Sequence, residues 1–78
     1  MKEFKGFKTY ALVTGAASGM GRIYSMELAR KGYNIIMVDI NAAGLQETER
    51  IVKAEVETSA QIAAECRDAF RTMAIVQD

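Results

Sequence analysis

Hydrophobic residues occur along this chain in three short, nearly continuous runs, which are separated by two longer segments with helical spacing. The runs cover residues 9–14, 34–39 and 72–78, and each contains residues that favour strands. Continuous apolarity without polar alternation is typical of strands that are covered on both faces of a sheet. We therefore predict three strands, the first two of them buried on both faces.

The first segment between the runs predicts an amphipathic helix. Within residues 22–32, the side chains of Ile23, Met26 and Leu28 fall on one helical face. Gly32 follows at the position where a left-handed cap ends a helix. The pattern therefore predicts a helix that begins near residue 22 and ends at this glycine.

The second segment predicts a longer helix, from residue 42 to about residue 69, after Asn41, which can cap it. Such a helix is about 40 Å long at 1.5 Å per residue, which favours a break or turn near Thr58 and Ser59. Its apolar stripe consists of Leu45, Val52, Val56, Ala60, Ala63, Cys66 and Phe70.

The alternation of strands and helices predicts an α/β fold of the Rossmann type, with the order β-α-β-α-β. Such a pattern implies a parallel three-stranded sheet with right-handed crossovers, and we expect the strand order 3-2-1. Because 78 residues bury only about 60% of their unfolded surface, we expect a single unit over residues 1–78. This unit is interpreted as the truncated N-terminal part of a larger doubly wound domain.

Composition narrows the range of partners and compartments. Ten basic residues balance ten acidic ones, which argues against a nucleic-acid partner and against binding to anionic membrane surfaces. A single cysteine, Cys66, excludes an internal disulfide and favours a reducing, cytoplasmic setting. The absence of histidine leaves no support for a metal site. Neither a signal peptide nor a membrane-spanning run is evident, so we expect a soluble protein.

Three glycines, Gly15, Gly19 and Gly21, lie between the first strand and the first helix, in the stretch TGAASGMG. Free backbone N–H groups and the helix dipole favour a phosphate at such a position. Glycine permits the sharp turn off the strand and the close approach of a pyrophosphate and of the neighbouring strand. Ser18 offers a hydroxyl donor and Met20 its backbone N–H. The alternative is a tight turn that binds no ligand.

An acidic residue, Asp39, ends the second strand, 18 residues after Gly21. A carboxylate at this place can accept both hydroxyls of an adenosine ribose and would repel the additional phosphate of NADP. The next residue is Ile40, and no basic residue occurs at positions 16–18 or 40. We therefore predict NAD as the cofactor, with NADP less favoured. Alternatively, Asp39 caps the start of the following helix.

These residues resemble the short-chain dehydrogenase/reductase family, whose N-terminal pattern is T-G-x-x-x-G-x-G. The pattern is matched by Thr14, Gly15, Gly19 and Gly21. The resemblance implies that Asp39 is the NAD-selecting acid and that Asp78 helps to hold the adenine. It also implies an oxidoreductase that transfers hydride between nicotinamide and an alcohol or carbonyl substrate, commonly as a homo-oligomer at full length.

A finer resemblance concerns the first helix. Residues 21–24, together with Glu27, Leu28, Ala29 and Gly32, are similar to the branch that reduces 3-oxoacyl thioesters and 17-ketosteroids. Members of that branch often prefer NADP, whereas the acid at Asp39 favours NAD. Tyr24, part of this match, is also explained as a partly buried helix residue.

The family's catalytic pair, a tyrosine with a lysine four residues later, does not occur in these 78 residues. The positions four residues after the three tyrosines are occupied by Thr14, Leu28 and Met37. Cys66 has no histidine partner and is expected to be buried packing. We therefore assign no catalytic residue. The alternative to an oxidoreductase is a stand-alone nucleotide-binding or interaction module.

Overall fold

The computed structural model describes residues 7–60, 62 and 64–77, with side chains at 64 and 65 excepted. The predicted β-α-β-α-β arrangement and the Rossmann-type fold class are confirmed. The elements, in chain order, are β1 (Thr9–Thr14), α1 (Gly19–Arg30), β2 (Tyr33–Asp39), α2 (Ala42–Thr58), α3 (Ala64–Arg67) and β3 (Thr72–Val76).

The three strands form one parallel sheet with β2 in the centre. The order β1-β2-β3 reads 3-2-1 from the other edge. Val13 pairs with Met37, and Met37 pairs in turn with Ala74. Since all three strands run the same way, their carboxyl ends meet at one edge of the sheet. The loop after β1 and the acid that ends β2 are thereby brought together.

The core lies between the sheet and its two long helices. Ile35 and Met37 of β2 are fully buried, as are Val52 and Val56 of α2. Apolar residues buried to this extent contribute about 1.5–3 kcal/mol each to folding. The helices α1 and α2 also contact each other, which places both on the same face of the sheet.

The opposite face of the sheet is apolar and, within the described part of the chain, uncovered. It presents Tyr10, Leu12, Met73 and Ile75, all of them exposed. The prediction of strands buried on both faces is therefore met on one face only. Two right-handed crossovers that add strands in the same direction place both helices on the same side, which accounts for the difference.

Helix boundaries differ from those predicted at two points. α1 begins at Gly19, three residues before the predicted start, so Gly19 and Gly21 belong to its first turn. α2 ends at Thr58, as the predicted break requires, and Ser59 has extended backbone. Because the helix stops there, the predicted apolar stripe does not continue beyond it. Ala60 is exposed and Cys66 is half-buried, whereas Ala63 lies outside the described residues.

None of the described helices is long and apolar enough to cross a bilayer.

A buried asparagine joins the amino-terminal ends of the strands. Asn34, which is 2% exposed, donates from Nδ2 to the carbonyl oxygen of Phe7 (2.9 Å) and accepts at Oδ1 from the N–H of Arg71 (2.7 Å). The rings of Phe7 and Phe70 pack beside it at a centroid distance of 4.8 Å. The segments that precede β1 and β3 are thus both held by β2.

We predict that Asn34→Ala lowers the free energy of unfolding by about 2–4 kcal/mol, because two backbone groups lose their partner in a buried place. Asn41→Ala, which removes an exposed helix cap, should cost only about 1 kcal/mol. Urea unfolding of the wild type and the two variants measures both values. Equal losses in the two variants would contradict the role given to Asn34.

Candidate functional site

The chain turns from β1 into α1 over four residues, 15–18. Gly15 has a φ of 65°, in the left-handed region that favours glycine. Its carbonyl oxygen accepts from the N–H of Ser18 (3.2 Å) and from the hydroxyl of Ser18 (2.9 Å). The predicted sharp turn at Gly15 is therefore present, and the Ser18 hydroxyl is directed at the loop's own backbone.

Two hydrogen bonds fasten this loop to the end of β2. The N–H of Ala16 donates to the carbonyl oxygen of Val38 (3.2 Å), and the N–H of Ala17 donates to Oδ2 of Asp39 (3.0 Å). Ala16 is fully buried. The loop is consequently fixed against the acid that the sequence places at the end of the second strand.

The first turn of α1 offers backbone N–H donors that have no partner among the described residues. Ser18 is the N-cap residue, but its side chain makes no capping hydrogen bond. The first hydrogen bond of the helix joins the N–H of Arg22 to the carbonyl oxygen of Ser18 (2.8 Å). Among the described residues, none accepts from the N–H groups of Gly19, Met20 or Gly21. Three free donors at the positive end of a helix favour an anion.

The glycines of this turn differ in what surrounds them. A Cβ added at Gly21 would lie 2.1 Å from the carbonyl oxygen of Gly15 and 2.8 Å from Cα of Ala16. At Gly19 an added Cβ meets no atom within 4 Å. Gly21 is therefore required for the helix to approach the loop, whereas Gly19 has open space where a side chain would begin.

Both carboxylate oxygens of Asp39 accept backbone hydrogen bonds, Oδ1 from the N–H of Asn41 (3.0 Å) and Oδ2 from the N–H of Ala17. These donations, with that of Asn41 the larger, hold the pKa of Asp39 below its usual value. A carboxylate has about four acceptor sites, so Asp39 retains capacity for a further donor. The residue thus organises the start of α2 and still presents a charged acceptor at the edge of the sheet.

The other residues expected at the site have different positions. Ile40 is exposed beside Asp39. The end of β3 is adjacent, since the N–H of Gln77 donates to the backbone carbonyl of Asp39 (2.9 Å). Asp78 itself lies outside the described residues. Tyr24 is 54% exposed, so its interpretation as a partly buried helix residue was wrong.

Two further side chains hold the loop: Arg22, which the sequence analysis named only as part of a family resemblance, and Thr48, which it did not name. Arg22 donates from Nε to Oγ1 of Thr48 (2.9 Å) and from Nη2 to the carbonyl oxygen of Ala17 (3.3 Å). Thr48 is fully buried and donates in turn to the carbonyl oxygen of Ala16 (2.8 Å). A signal existed, because Thr48 falls between Leu45 and Val52 on the apolar stripe.

Comparison with known proteins establishes the family. Residues 9–78 match the sequence model of a protein family, which is described as short chain dehydrogenase. This chain therefore belongs to that family. A very-long-chain 3-oxoacyl-CoA reductase of Kluyveromyces lactis is 35% identical over 63 residues, which cover 81% of this chain and 18% of the reductase. The chain thus spans less than a fifth of that relative.

Solved structures show the same fold. An NAD⁺-bound xylitol dehydrogenase superposes with a TM-score of 0.71 at 24% identity, covering 95% of this chain and 24% of that one. The L-sorbose reductase of Gluconobacter frateurii, complexed with NADPH and L-sorbose, gives a TM-score of 0.67 at 22% identity, covering 97% and 25%. At these identities the likeness concerns the fold alone.

We predict that alanine lowers stability at Gly21 but not at Gly19. Gly21→Ala should lower the free energy of unfolding by about 2 kcal/mol or more, because its new methyl group meets backbone that cannot move aside cheaply. Gly19→Ala should leave stability unchanged or raise it by up to about 1 kcal/mol, since alanine is the better helix former. Thermal unfolding followed by circular dichroism compares them, and an undiminished melting temperature in Gly21→Ala would contradict the close approach.

Proposed function

We propose that this chain binds the adenosine and pyrophosphate of a nicotinamide dinucleotide, NAD in preference to NADP, as the cofactor-binding part of an oxidoreductase. The observation that carries the proposal is the meeting of two features at one sheet edge. Free N–H groups at the start of α1 suit a pyrophosphate, and the carboxylate of Asp39, joined to the same loop through Ala17, suits a ribose.

The surroundings of this turn also support a pyrophosphate. An added Cβ at Gly19 meets no atom within 4 Å, and the N–H groups of Met20 and Gly21 follow it in the same turn. Met20 itself is 66% exposed. Ser18 can contribute its hydroxyl after rotating away from the Gly15 carbonyl.

Selectivity for NAD is proposed on the charge of Asp39. The Asp39 carboxylate is ionised at neutral pH, and backbone hydrogen bonds lower its pKa further below the ordinary acidic value. A negative charge there accepts hydrogen bonds from hydroxyls but repels a ribose phosphate. The exposed Ile40 provides no cation beside it. The xylitol dehydrogenase and the L-sorbose reductase, which hold NAD⁺ and NADPH respectively, support a nicotinamide dinucleotide as the ligand class.

For the whole protein we propose hydride transfer between nicotinamide and an alcohol or ketone. The bound dinucleotide supplies the hydride acceptor or donor, and the residues of this chain bind and orient its adenosine half. The Kluyveromyces lactis relative supports a 3-oxoacyl thioester as the carbonyl substrate, in agreement with the resemblance around Arg22 and Tyr24. We assign no group that acts on the substrate to these 78 residues, which contain no tyrosine with a lysine four residues later.

Asp39→Ala tests the proposal directly. We expect the affinity for NAD⁺ to fall about ten-fold or more, because hydrogen bonds to a charged acceptor are lost, while the affinity for NADP⁺ is unchanged or rises. Isothermal titration calorimetry of the full-length protein with each dinucleotide gives both constants. Asp68→Ala, which removes an exposed acid near the start of β3, controls for the change in net charge.

Two results would contradict the proposal in different ways. If the wild type binds neither dinucleotide, the site is a structural turn without a ligand. If Asp39→Ala weakens NAD⁺ and NADP⁺ by the same factor, the acid serves the loop alone and the selectivity argument fails.

A further inference from the structure

We infer that Thr48 and Arg22 are positioning residues that set the preference between NAD and NADP by fixing the orientation of the Asp39 carboxylate. The inference rests on the proposed function and deepens it. Neither side chain is needed to contact the cofactor, because their effect passes through the backbone of the glycine loop.

One planar peptide unit links Thr48 to Asp39. The hydroxyl of Thr48 donates to the carbonyl oxygen of Ala16 (2.8 Å), and the N–H of Ala17, in the same peptide, donates to Asp39 Oδ2 (3.0 Å). The C=O and N–H of a trans peptide point in opposite directions. A hydrogen bond that fixes the carbonyl of Ala16 therefore also orients the N–H of Ala17 toward the carboxylate of Asp39.

Arg22 holds both Thr48 and the next peptide unit. Its Nε donates to Oγ1 of Thr48 (2.9 Å), so that hydroxyl is directed at Ala16. Its Nη2 lies 3.3 Å from the carbonyl oxygen of Ala17 and 3.4 Å from that of Gly44, in the first turn of α2. A single guanidinium thus joins α1, the loop and α2, a task for which its fork of donors is suited.

The loop and α2 are in close contact at the same place. A Cβ added at Gly44 would lie 2.7 Å from Cβ of Ala17. Thr48 and Ala16 are both fully buried, so water does not replace a hydroxyl that is removed. Losing it leaves the Ala16 carbonyl without a partner and frees the peptide to rotate.

The consequence falls on Asp39 more than on the free N–H groups of α1. The pyrophosphate is bound by the helix turn at Gly19–Gly21. This turn is closed by the hydrogen bond from the N–H of Arg22 to the carbonyl oxygen of Ser18 (2.8 Å), which does not involve Thr48. The carboxylate, by contrast, has one of its two oxygens held by Ala17. Rotation of this peptide releases that oxygen, which weakens ribose binding and reduces the exclusion of a ribose phosphate.

The test compares the ratio of NAD⁺ to NADP⁺ affinity in variants of the full-length protein by isothermal titration calorimetry. Thr48→Val is nearly isosteric and should lower this ratio about five- to ten-fold. This change corresponds to about 1–1.4 kcal/mol, the contribution of one hydrogen bond. Thr48→Ser keeps the hydroxyl and should restore the wild-type ratio. Thr58→Val is the matched control, because that hydroxyl bonds within its own helix, to Ala54.

Arg22→Lys keeps the inference testable if Thr48→Val does not fold. Lysine retains the charge but cannot span the hydroxyl and the two carbonyls together, so the ratio should fall about three-fold or more. If Thr48→Val and Arg22→Lys leave the ratio of NAD⁺ to NADP⁺ affinity unchanged, including by weakening both dinucleotides equally, the inference is overturned. NAD⁺ binding by the wild type would still uphold the proposed function. A wild type that binds neither dinucleotide overturns both.

Discussion

The hydrogen bond from the N–H of Ala17 to the carboxylate of Asp39 is the interaction on which the site depends. It joins the loop after β1 to the end of β2, two points 22 residues apart in sequence. The parallel pairing of the strands brings these points to one edge of the sheet. Since the same carboxylate also accepts from Asn41 at the start of α2, one side chain connects three elements and faces the proposed ribose position.

A second constraint is steric. Gly21 approaches the Gly15 carbonyl so closely that no side chain fits between them, and this contact sets the position of α1 against the loop. The free N–H groups of the first helical turn are thereby presented at the same edge as Asp39. Charge and close packing act together here, because the dipole of a helix favours an anion only within its first turn.

The fold was predictable from the sequence because its signals are local and mutually consistent. Strand-length apolar runs, helical spacing and a left-handed Gly32 gave the order of elements, and the structure confirms it. The loop glycines and Asp39 were found in the same way, from their places at the ends of strands. The true start of α1 was missed, because Gly19 and Gly21 are poor helix formers and the propensity of the first turn is overridden by tertiary contact.

Two further features could not be read from spacing alone. The contacts of Arg22 and Thr48 span 26 residues, and only the packing of α1 against α2 brings them together. The open face of the sheet, with Leu12 and Met73 exposed, is decided by where both crossovers place their helices. A continuous apolar run indicates that a strand can be covered on both faces, but it does not say which element covers it.

The most direct measurement is a titration of the nitrogen-15-labelled full-length protein with NAD⁺, followed by backbone amide NMR. The account predicts saturable shifts at the amides of Gly19, Met20 and Gly21 and at Asn41 beside Asp39. Amides beside the cavity near the start of β3, which is lined by Lys53, Arg67 and Phe70 among others, should not move. Saturable binding that moves the cavity amides and leaves the loop amides unchanged would contradict it.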